Sequence, residues 1–312
     1  MKPGLHTPAE IALVGAGRMG SMHLRALAGA SSVRVTDVVE PYAPRREQCA
    51  AAGLRAHAGL QDLLASRTPD GVLVCAPTDQ HAAVVRQLRA SGVPVLCEKP
   101  AGSTWQEVAE TGRLAPAGRA LLQVAYWRRF VPGLVALRER IGAGEFGQVL
   151  SLVCAQWDGA PPPPAFRSTS GGIFVDMGVH EFDEVRWLTG EDIRRVDAAT
   201  TPALDPEARP DADVGQALLR LTDSTTAVVS LGRYHPPGDL VSVEVFGTKR
   251  HERLVVLDPV DGEAPMLDAL RRQAESFADL LRTGVRLGAG IDDAVAAMRA
   301  AEGAANSADR PY

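Results

Sequence analysis

The sequence predicts an α/β Rossmann domain with a doubly wound parallel sheet, followed by an α+β domain with a largely antiparallel open sheet. Three observations carry this expectation. The first third of the chain alternates short β-branched runs with amphipathic helical stretches. A glycine-rich turn, Gly15 to Gly20, joins the first strand to the first helix. From Ile193 to Leu257, extended runs follow one another with only turns between them. The 312 residues suit two domains of roughly 100–200 residues each. The pattern changes near residue 125, giving expected domains 1–125 and 126–312.

Taken in order, Ile11–Val14 reads as a strand, and a helix follows the glycine turn to about Ala30. Val33–Val39 is the second strand, and Pro41 and Pro44 mark the start of a helix over Pro44–Ala52. Gln61–Ser66 is a short helix. Gly71–Cys75 and Val93–Cys97 are apolar enough for buried strands, with a helix over His81–Ser91 between them. Thr104 can cap a helix to Leu114, and Ala120–Tyr126 is the last strand of this part. Next come a helix at Pro132–Ile141, a turn at Gly142–Gly147 and a strand at Gln148–Gln156. The run Pro161–Pro164 is too rigid for the interior of helix or sheet and reads as a surface loop. Ile173–Leu188 is strongly helical, with Phe174, Phe182 and Trp187 as core. Extended runs at Val214–Leu221, Ala227–Arg233, Leu240–Phe246 and Leu254–Leu257 are broken at Asp223–Ser224 and Pro236–Gly238. Helices at Met266–Leu281 and Asp292–Asn306 end the pattern.

Composition excludes several function classes. With 46% hydrophobic and 23% charged residues the chain is ordinary globular material rather than disordered. A net charge of −5 argues against a generally basic nucleic-acid binder and for a small-molecule partner. No run reaches the ~20 apolar residues of a membrane span, and no apolar signal segment precedes Ile11. Cys49, Cys75, Cys97 and Cys154 share no C-x-x-C spacing, so they read as reduced core residues of a cytoplasmic protein. Only three of the 33 basic residues are lysines, Lys2, Lys99 and Lys249. A lysine inside an interior motif is therefore unlike the chain's usual cation.

The segment Gly15-Ala16-Gly17-Arg18-Met19-Gly20 has the strand-to-helix context in which G-x-G-x-x-G binds a dinucleotide. The first glycine makes the turn, the second lets backbone approach a pyrophosphate, and the third allows close helix–strand packing. The helix N-terminus adds N–H groups and partial positive charge. Asp37, about twenty residues on, is the expected ribose anchor. A carboxylate there repels a 2′-phosphate, and Val38 and Val39 offer no offsetting cation. Arg45 and Arg46 lie further along, on the predicted helix. NAD is thus expected over NADP.

Two further sites stand out. Cys97-Glu98-Lys99-Pro100 ends a buried strand, the edge where open α/β sheets bind ligands. A solvated ion pair is the plain alternative, but lysine is rare here and Pro100 restrains the backbone. Asp176 and His180 lie at i and i+4 on one predicted helix. That suits a proton-accepting imidazole oriented by a carboxylate, although a surface salt bridge has the same spacing. No metal is expected: His180-Glu181 opens like H-E-x-x-H, but residue 184 is glutamate.

Together with the segments Pro77-Thr78-Asp79-Gln80-His81, Arg128-Arg129-Phe130, Gly144-Glu145-Phe146-Gly147 and Gly171-Gly172-Ile173-Phe174-Val175-Asp176-Met177-Gly178-Val179-His180, these motifs resemble those of the Gfo/Idh/MocA oxidoreductases over nearly the whole chain. The run His180-Glu181-Phe182-Asp183-Glu184-Val185-Arg186-Trp187-Leu188 is similar to the inositol 2-dehydrogenase branch. The resemblance implies an NAD-dependent dehydrogenase that oxidises a secondary hydroxyl of an inositol-like cyclitol or sugar. The residue matching His180 takes the hydroxyl proton, that matching Lys99 hydrogen-bonds the reacting oxygen, and that matching Asp176 binds substrate. Gly15, Gly17, Arg18, Met19, Gly20, Asp37, Pro77, Thr78, His81, Glu98, Lys99, Gln123 and Arg128 are the implied cofactor contacts. For His81 a structural role at a helix start competes, and for Arg128 a domain-bridging salt bridge. Trp157, in Gln156-Trp157-Asp158, could stack on a sugar face; Arg167 and Tyr234–His235 are further candidates for the substrate pocket or for solvated loops. A homodimer or homotetramer is implied by resemblance alone. Rival readings are NAD-assisted glycoside cleavage, which makes no net NADH, and a sugar- or dinucleotide-sensing regulator, which has no need of the lysine and histidine.

Overall fold

A computed structural model describes residues 7–113 and 121–308. The predicted ends at Leu114 and Ala120 lie outside the described residues. The chain forms two compact units, 1–125 with 267–291, and 126–266 with 292–312. A division at residue 125 alone assigns all of 126–312 to the second domain; instead, 267–291 belongs with the first.

The first unit contains β1 (Ala9–Val14), α1 (Arg18–Ala26), β2 (Val33–Val39), α2 (Ala43–Ala51), β3 (Arg55–His57), α3 (Leu60–Ser66), β4 (Gly71–Val74), α4 (Thr78–Ala90), β5 (Val95–Glu98), α5 (Trp105–Arg113) and β6 (Leu122–Ala125). The strands form one parallel sheet in the order β3-β2-β1-β4-β5-β6. The order reverses direction beside β1, so the crevice at the carboxyl ends of β1 and β4 is the switch point where such sheets bind ligands. β4 and β5 are buried at every position, which explains their unbroken apolar runs. The short β3 carries no apolar periodicity, and the sequence pattern does not reveal it.

In the second unit a 3₁₀ turn (Trp127–Phe130) leads into α6 (Pro132–Gly142) and β7 (Val149–Trp157). α7 (Pro164–Arg167) follows, because Pro164 at its start has the fixed φ of a first helical residue; the proline run is thus loop only up to that point. Residues Phe174–Gly178 wind as a π-turn before α8 (Val179–Thr189). Gly190 ends α8 at φ +75°, a left-handed cap that favours glycine. β8 (Ile193–Pro202), β9 (Ala212–Leu221), β10 (Thr226–Gly232), β11 (Leu240–Gly247) and β12 (His251–Leu257) complete a sheet in the order β12-β11-β7-β10-β9-β8. All its pairings are antiparallel except β10 with β7.

α9 (Ala264–Thr283) and α10 (Ile291–Ala308) end the described chain. α9 sends Ala274, Phe277, Ala278 and Leu280 into the core of the first unit, beside Leu13, Leu73, Leu96 and Ala125. Gly71 at the start of β4 is needed there: an added Cβ would lie 2.7 Å from the Phe277 ring. No helix among the described residues is long and apolar enough to cross a membrane.

Candidate functional site

In the first unit the glycine turn takes the shape its residues require. Gly15 has φ +89°, and an added Cβ would sit 2.7 Å from the Cys75 carbonyl oxygen. A side chain at Gly20 would collide with the Gly15 carbonyl. Gly17 differs: it is the N-cap of α1, and a Cβ there meets nothing within 4 Å. Packing does not demand that glycine, and the open space over it at a helix start is what a pyrophosphate needs. Arg18 is exposed as the first residue of α1, and Met19 packs against the core.

Asp37 is not placed as expected. It lies inside β2, two residues before its end, with Arg55 of β3 as its register partner. The buried carboxylate accepts Arg55 Nε at 2.9 Å and Nη2 at 2.8 Å, and the Thr36 hydroxyl at 2.8 Å; His57 Nε2 lies 3.1 Å away. Burial raises its pKa, but the bonds from Arg55, His57 and Thr36 outweigh it and hold the carboxyl well below the usual range. Asp37 is therefore a strand-pairing ion pair rather than a ribose anchor. The residue the sequence reading missed is Glu40, directly after β2. Its Oε2 accepts the Ala16 N–H at 2.9 Å and its Oε1 the Tyr42 N–H at 2.9 Å. Each carboxylate oxygen has a second lone pair for a hydroxyl donor. The distance from the fingerprint's last glycine was the available signal: Glu40 stands 20 residues beyond Gly20, Asp37 only 17. The first cations beyond it are Arg45, whose Nη1 lies 3.5 Å from Glu40 Oε2, and Arg46, which donates to the Glu40 and Pro41 carbonyls. Gly17 with its open space and Glu40 beside the turn fit a dinucleotide.

Pro77 and Thr78 open α4, and His81 follows in its first turn. Both ring nitrogens of His81 face carbonyl oxygens, Nδ1 that of Pro100 at 2.7 Å and Nε2 that of Ala76 at 2.7 Å. Glu98 is buried at the end of β5, with its Oε1 2.7 Å from His23 Nε2 and its Oε2 accepting the Lys99 N–H at 3.2 Å. Burial raises the Glu98 pKa, but His23 and nearby positive charge more than offset it, so the group is ionised. The Lys99–Pro100 peptide is cis, and Lys99 is half-buried. Gln123 lies inside β6 rather than at its end, fully buried against Gly288, with no hydrogen-bond partner for its amide among the described residues.

In the second unit His180 is buried in the first turn of α8. Tyr126 and Trp127 pack edge-on against its ring, at centroid distances of 5.9 and 6.3 Å. Asp176 lies in the π-turn before it, a distortion that recurs at functional sites. Arg233, fully buried and not singled out by the sequence, donates to Asp176 at 2.7 Å. Its guanidinium also lies 3.4 Å from Asp158 and 3.3 Å from Asp211. Burial pushes the Asp158 carboxyl up to about 6, with Arg233 opposing and Asp176 and Asp239 adding to the rise.

Three further candidates are placed differently from expectation. Arg167 is buried, and its guanidinium is held by Asp211 at 2.6 Å and Asp213 at 2.8 Å, so it braces the chain instead of facing substrate. Trp157 alternates with Gln156, and Gln156 bonds Arg128 on the α8 side of the sheet. Trp157 therefore faces the other side, over Gly232, with Nε1 donating to Ser230 at 3.2 Å. Arg128 is buried between Glu181 at 2.6 Å and Glu184 at 3.5 Å, a salt bridge within the second unit and not the domain-bridging one that was its alternative reading. Burial pushes Glu184 up to about 7, against the pull of Arg128 and with help from Glu181. Of the two loop candidates, Tyr234 is exposed and His235 turns its ring onto the Gly238 carbonyl.

Comparison with known proteins places these features. Residues 9–126 match the oxidoreductase family with an NAD-binding Rossmann fold, and residues 134–251 match the GFO/IDH/MocA C-terminal domain. The chain is 43% identical over 299 residues to the rhizopine catabolism protein MocA of Rhizobium meliloti, covering 96% of this chain and 94% of that one. It is 38% identical over 244 residues to the myo-inositol dehydrogenase Hyg17 of Streptomyces leeuwenhoekii, covering 77% and 74%. Among solved structures it is similar to a myo-inositol dehydrogenase from Corynebacterium glutamicum, with a TM-score of 0.87, 25% identity and 96% of each chain covered. The chain belongs to the Gfo/Idh/MocA family of oxidoreductases, with an NAD-binding Rossmann domain ahead of the family's C-terminal domain.

Proposed function

We propose that the protein oxidises a secondary hydroxyl of an inositol-like cyclitol or sugar to a ketone, with NAD as the preferred cofactor. The observation that carries the substrate class is the polar corner of the second unit, where Asp158 and Asp176 share the buried Arg233 near the helix that bears His180. Carboxylates fixed by one guanidinium keep lone pairs for hydroxyl donors, which suits a polyol better than an apolar alcohol. The named relatives that act on myo-inositol support the same class.

Bound NAD supplies the hydride acceptor. His180 accepts the hydroxyl proton, with its ring held edge-on by Tyr126 and Trp127. Lys99 donates a hydrogen bond to the reacting oxygen as it becomes a carbonyl. Asp176, oriented by Arg233, holds a neighbouring hydroxyl. Glu40 accepts from the ribose hydroxyls, and its charge disfavours a 2′-phosphate. The test is a panel of cyclitols, hexoses and glycosides with NAD and NADP, read by absorbance of the reduced nicotinamide. Net NADH from a free cyclitol supports this reading. Glycoside cleavage without net NADH overturns it.

A further inference from the structure

Lys99 leaves the sheet between two histidines on different helices. Before it, the buried Glu98 carboxylate meets His23 Nε2 at 2.7 Å through one oxygen and accepts the Lys99 N–H through the other. His23 lies on α1, the helix that starts at the glycine turn, and its ring is wholly buried. After it, the Pro100 carbonyl faces His81 Nδ1 at 2.7 Å, and the same ring reaches the Ala76 carbonyl at the end of β4. Cys75 completes the pocket around Glu98 and His23; burial pushes its thiol well up, so it is a neutral neighbour rather than a competing charge. The backbone on both sides of Lys99 is thus tied to α1 and α4, whose N-termini lie at the carboxyl edge of the sheet.

We infer that His23 and His81 are positioning residues that fix Lys99 from either side and link its placement to the dinucleotide-binding edge. This rests on the reading of Lys99 as the donor to the reacting oxygen. Glu98 then acts through these bonds and not as a direct cofactor contact. An ionised, buried carboxylate needs donors on its oxygens, and the donors recorded are a helix histidine and the lysine's own backbone. Loss of the His23 donor frees Glu98 to move and Lys99 with it. A displacement of about 1 Å costs roughly a hundredfold in rate.

The two rings use different nitrogens toward the lysine segment, and this gives an atom-specific test. A glutamine amide reaches roughly the position of Nε2, and an asparagine amide that of Nδ1. At His23, where Nε2 makes the bond, His23→Gln keeps the donor and His23→Asn loses it. At His81, Nδ1 faces Pro100, so His81→Asn keeps that bond and His81→Gln loses it. The four variants are assayed with myo-inositol and its carbon-deuterated form for kcat and isotope effect, by titration for the NAD Kd, and by amide exchange at Lys99 in the cofactor-free protein.

The expected pattern is mirrored. His23→Gln and His81→Asn stay within about threefold of the parent, whereas His23→Asn and His81→Gln lose about tenfold to a hundredfold in kcat. The impaired pair shows a larger isotope effect and faster Lys99 amide exchange, with the NAD Kd unchanged. Equal behaviour of Asn and Gln at both positions, or kcat losses that track the NAD Kd, overturns the inference. A His23→Asn chain that fails to fold leaves the His81 pair to decide on the same criteria. Lys99→Met separates the two levels: full turnover in that variant overturns the reading of Lys99 itself, and the positioning inference with it. Lost turnover in Lys99→Met beside unaffected histidine variants overturns the positioning inference alone.

Discussion

The carboxylate of Glu40 accepts the backbone N–H of Ala16 at 2.9 Å, joining the end of β2 to the middle of the glycine turn. Anything that binds over Gly17 therefore meets that charge. Replacing Glu40 with Ala is expected to weaken NAD binding by about tenfold or more, on the scale of hydrogen bonds to a charged group, and to narrow the NAD/NADP ratio of kcat/KM. Asp37→Asn is expected to lower stability through its ion pairs and leave the ratio unchanged. Steady-state kinetics with both cofactors check this, and an unchanged ratio in Glu40→Ala assigns selectivity elsewhere.

Removal of either proton-handling group should spare cofactor binding. Lys99→Ala and His180→Ala are each expected to lower kcat by roughly 10²–10⁴-fold. The NAD Kd, read by titration of intrinsic fluorescence, is expected to stay within about twofold, since the change in rate comes from the reacting centre. Near-normal turnover in either variant removes that residue from the mechanism.

Arg233 pairs with Asp158, Asp176 and Asp211, the last of which Arg167 also holds. Arg233→Met leaves carboxylates buried without it and is expected to cost about 3–5 kcal/mol of stability. Arg233→Lys is expected to recover little of that, because a single ammonium cannot serve three directions as a planar fork does. Denaturant unfolding curves measure both.

Glu184 makes stability depend on pH. Its folded-state pKa, about 7, lies above its ordinary value of 4.5, so the folded chain holds that proton more tightly than the unfolded chain. The contribution is complete below about 4.5 and is lost as pH rises through about 7. Glu184→Gln is expected to remove this slope, so the unfolding free energy of the parent falls more steeply than that of the variant between those limits. Parallel profiles in urea titrations overturn the assignment.

Much of the first unit was legible because parallel-sheet physics writes itself locally. Buried strands such as Val95–Glu98 are short apolar runs, and the turn at Gly15 and Gly20 admits no other residue. What stayed hidden depended on partners distant in sequence. Asp37 and Glu40 both stand near the required spacing; the exact distance from Gly20 favours Glu40, and the pairing of Asp37 with Arg55 on the unseen β3 takes Asp37 out of the site. Trp157 and Gln156 are adjacent in sequence yet lie on opposite faces of a sheet, and neither face is labelled until Arg128 is seen to bond Gln156. Arg167 reads equally well as a solvated loop cation, and Arg233 as the last residue of an extended run, until the aspartates that enclose them are placed. Asp176 and His180 read as i and i+4 on one helix, but the π-turn that carries Asp176 was not legible, since no local residue preference announces it, and neither was its partner Arg233.

The return of residues 267–291 to the first unit bears on biosynthesis. Phe277 and its neighbours in α9 fill a layer of the amino-terminal core, yet they emerge from the ribosome after the whole second sheet has been made. A nascent chain that ends after β6 carries a Rossmann sheet with one apolar wall uncovered. The amino-terminal lobe is thus the first to be translated and among the last to be sealed, and an expression fragment cut at residue 125 is expected to aggregate unless α9 is supplied.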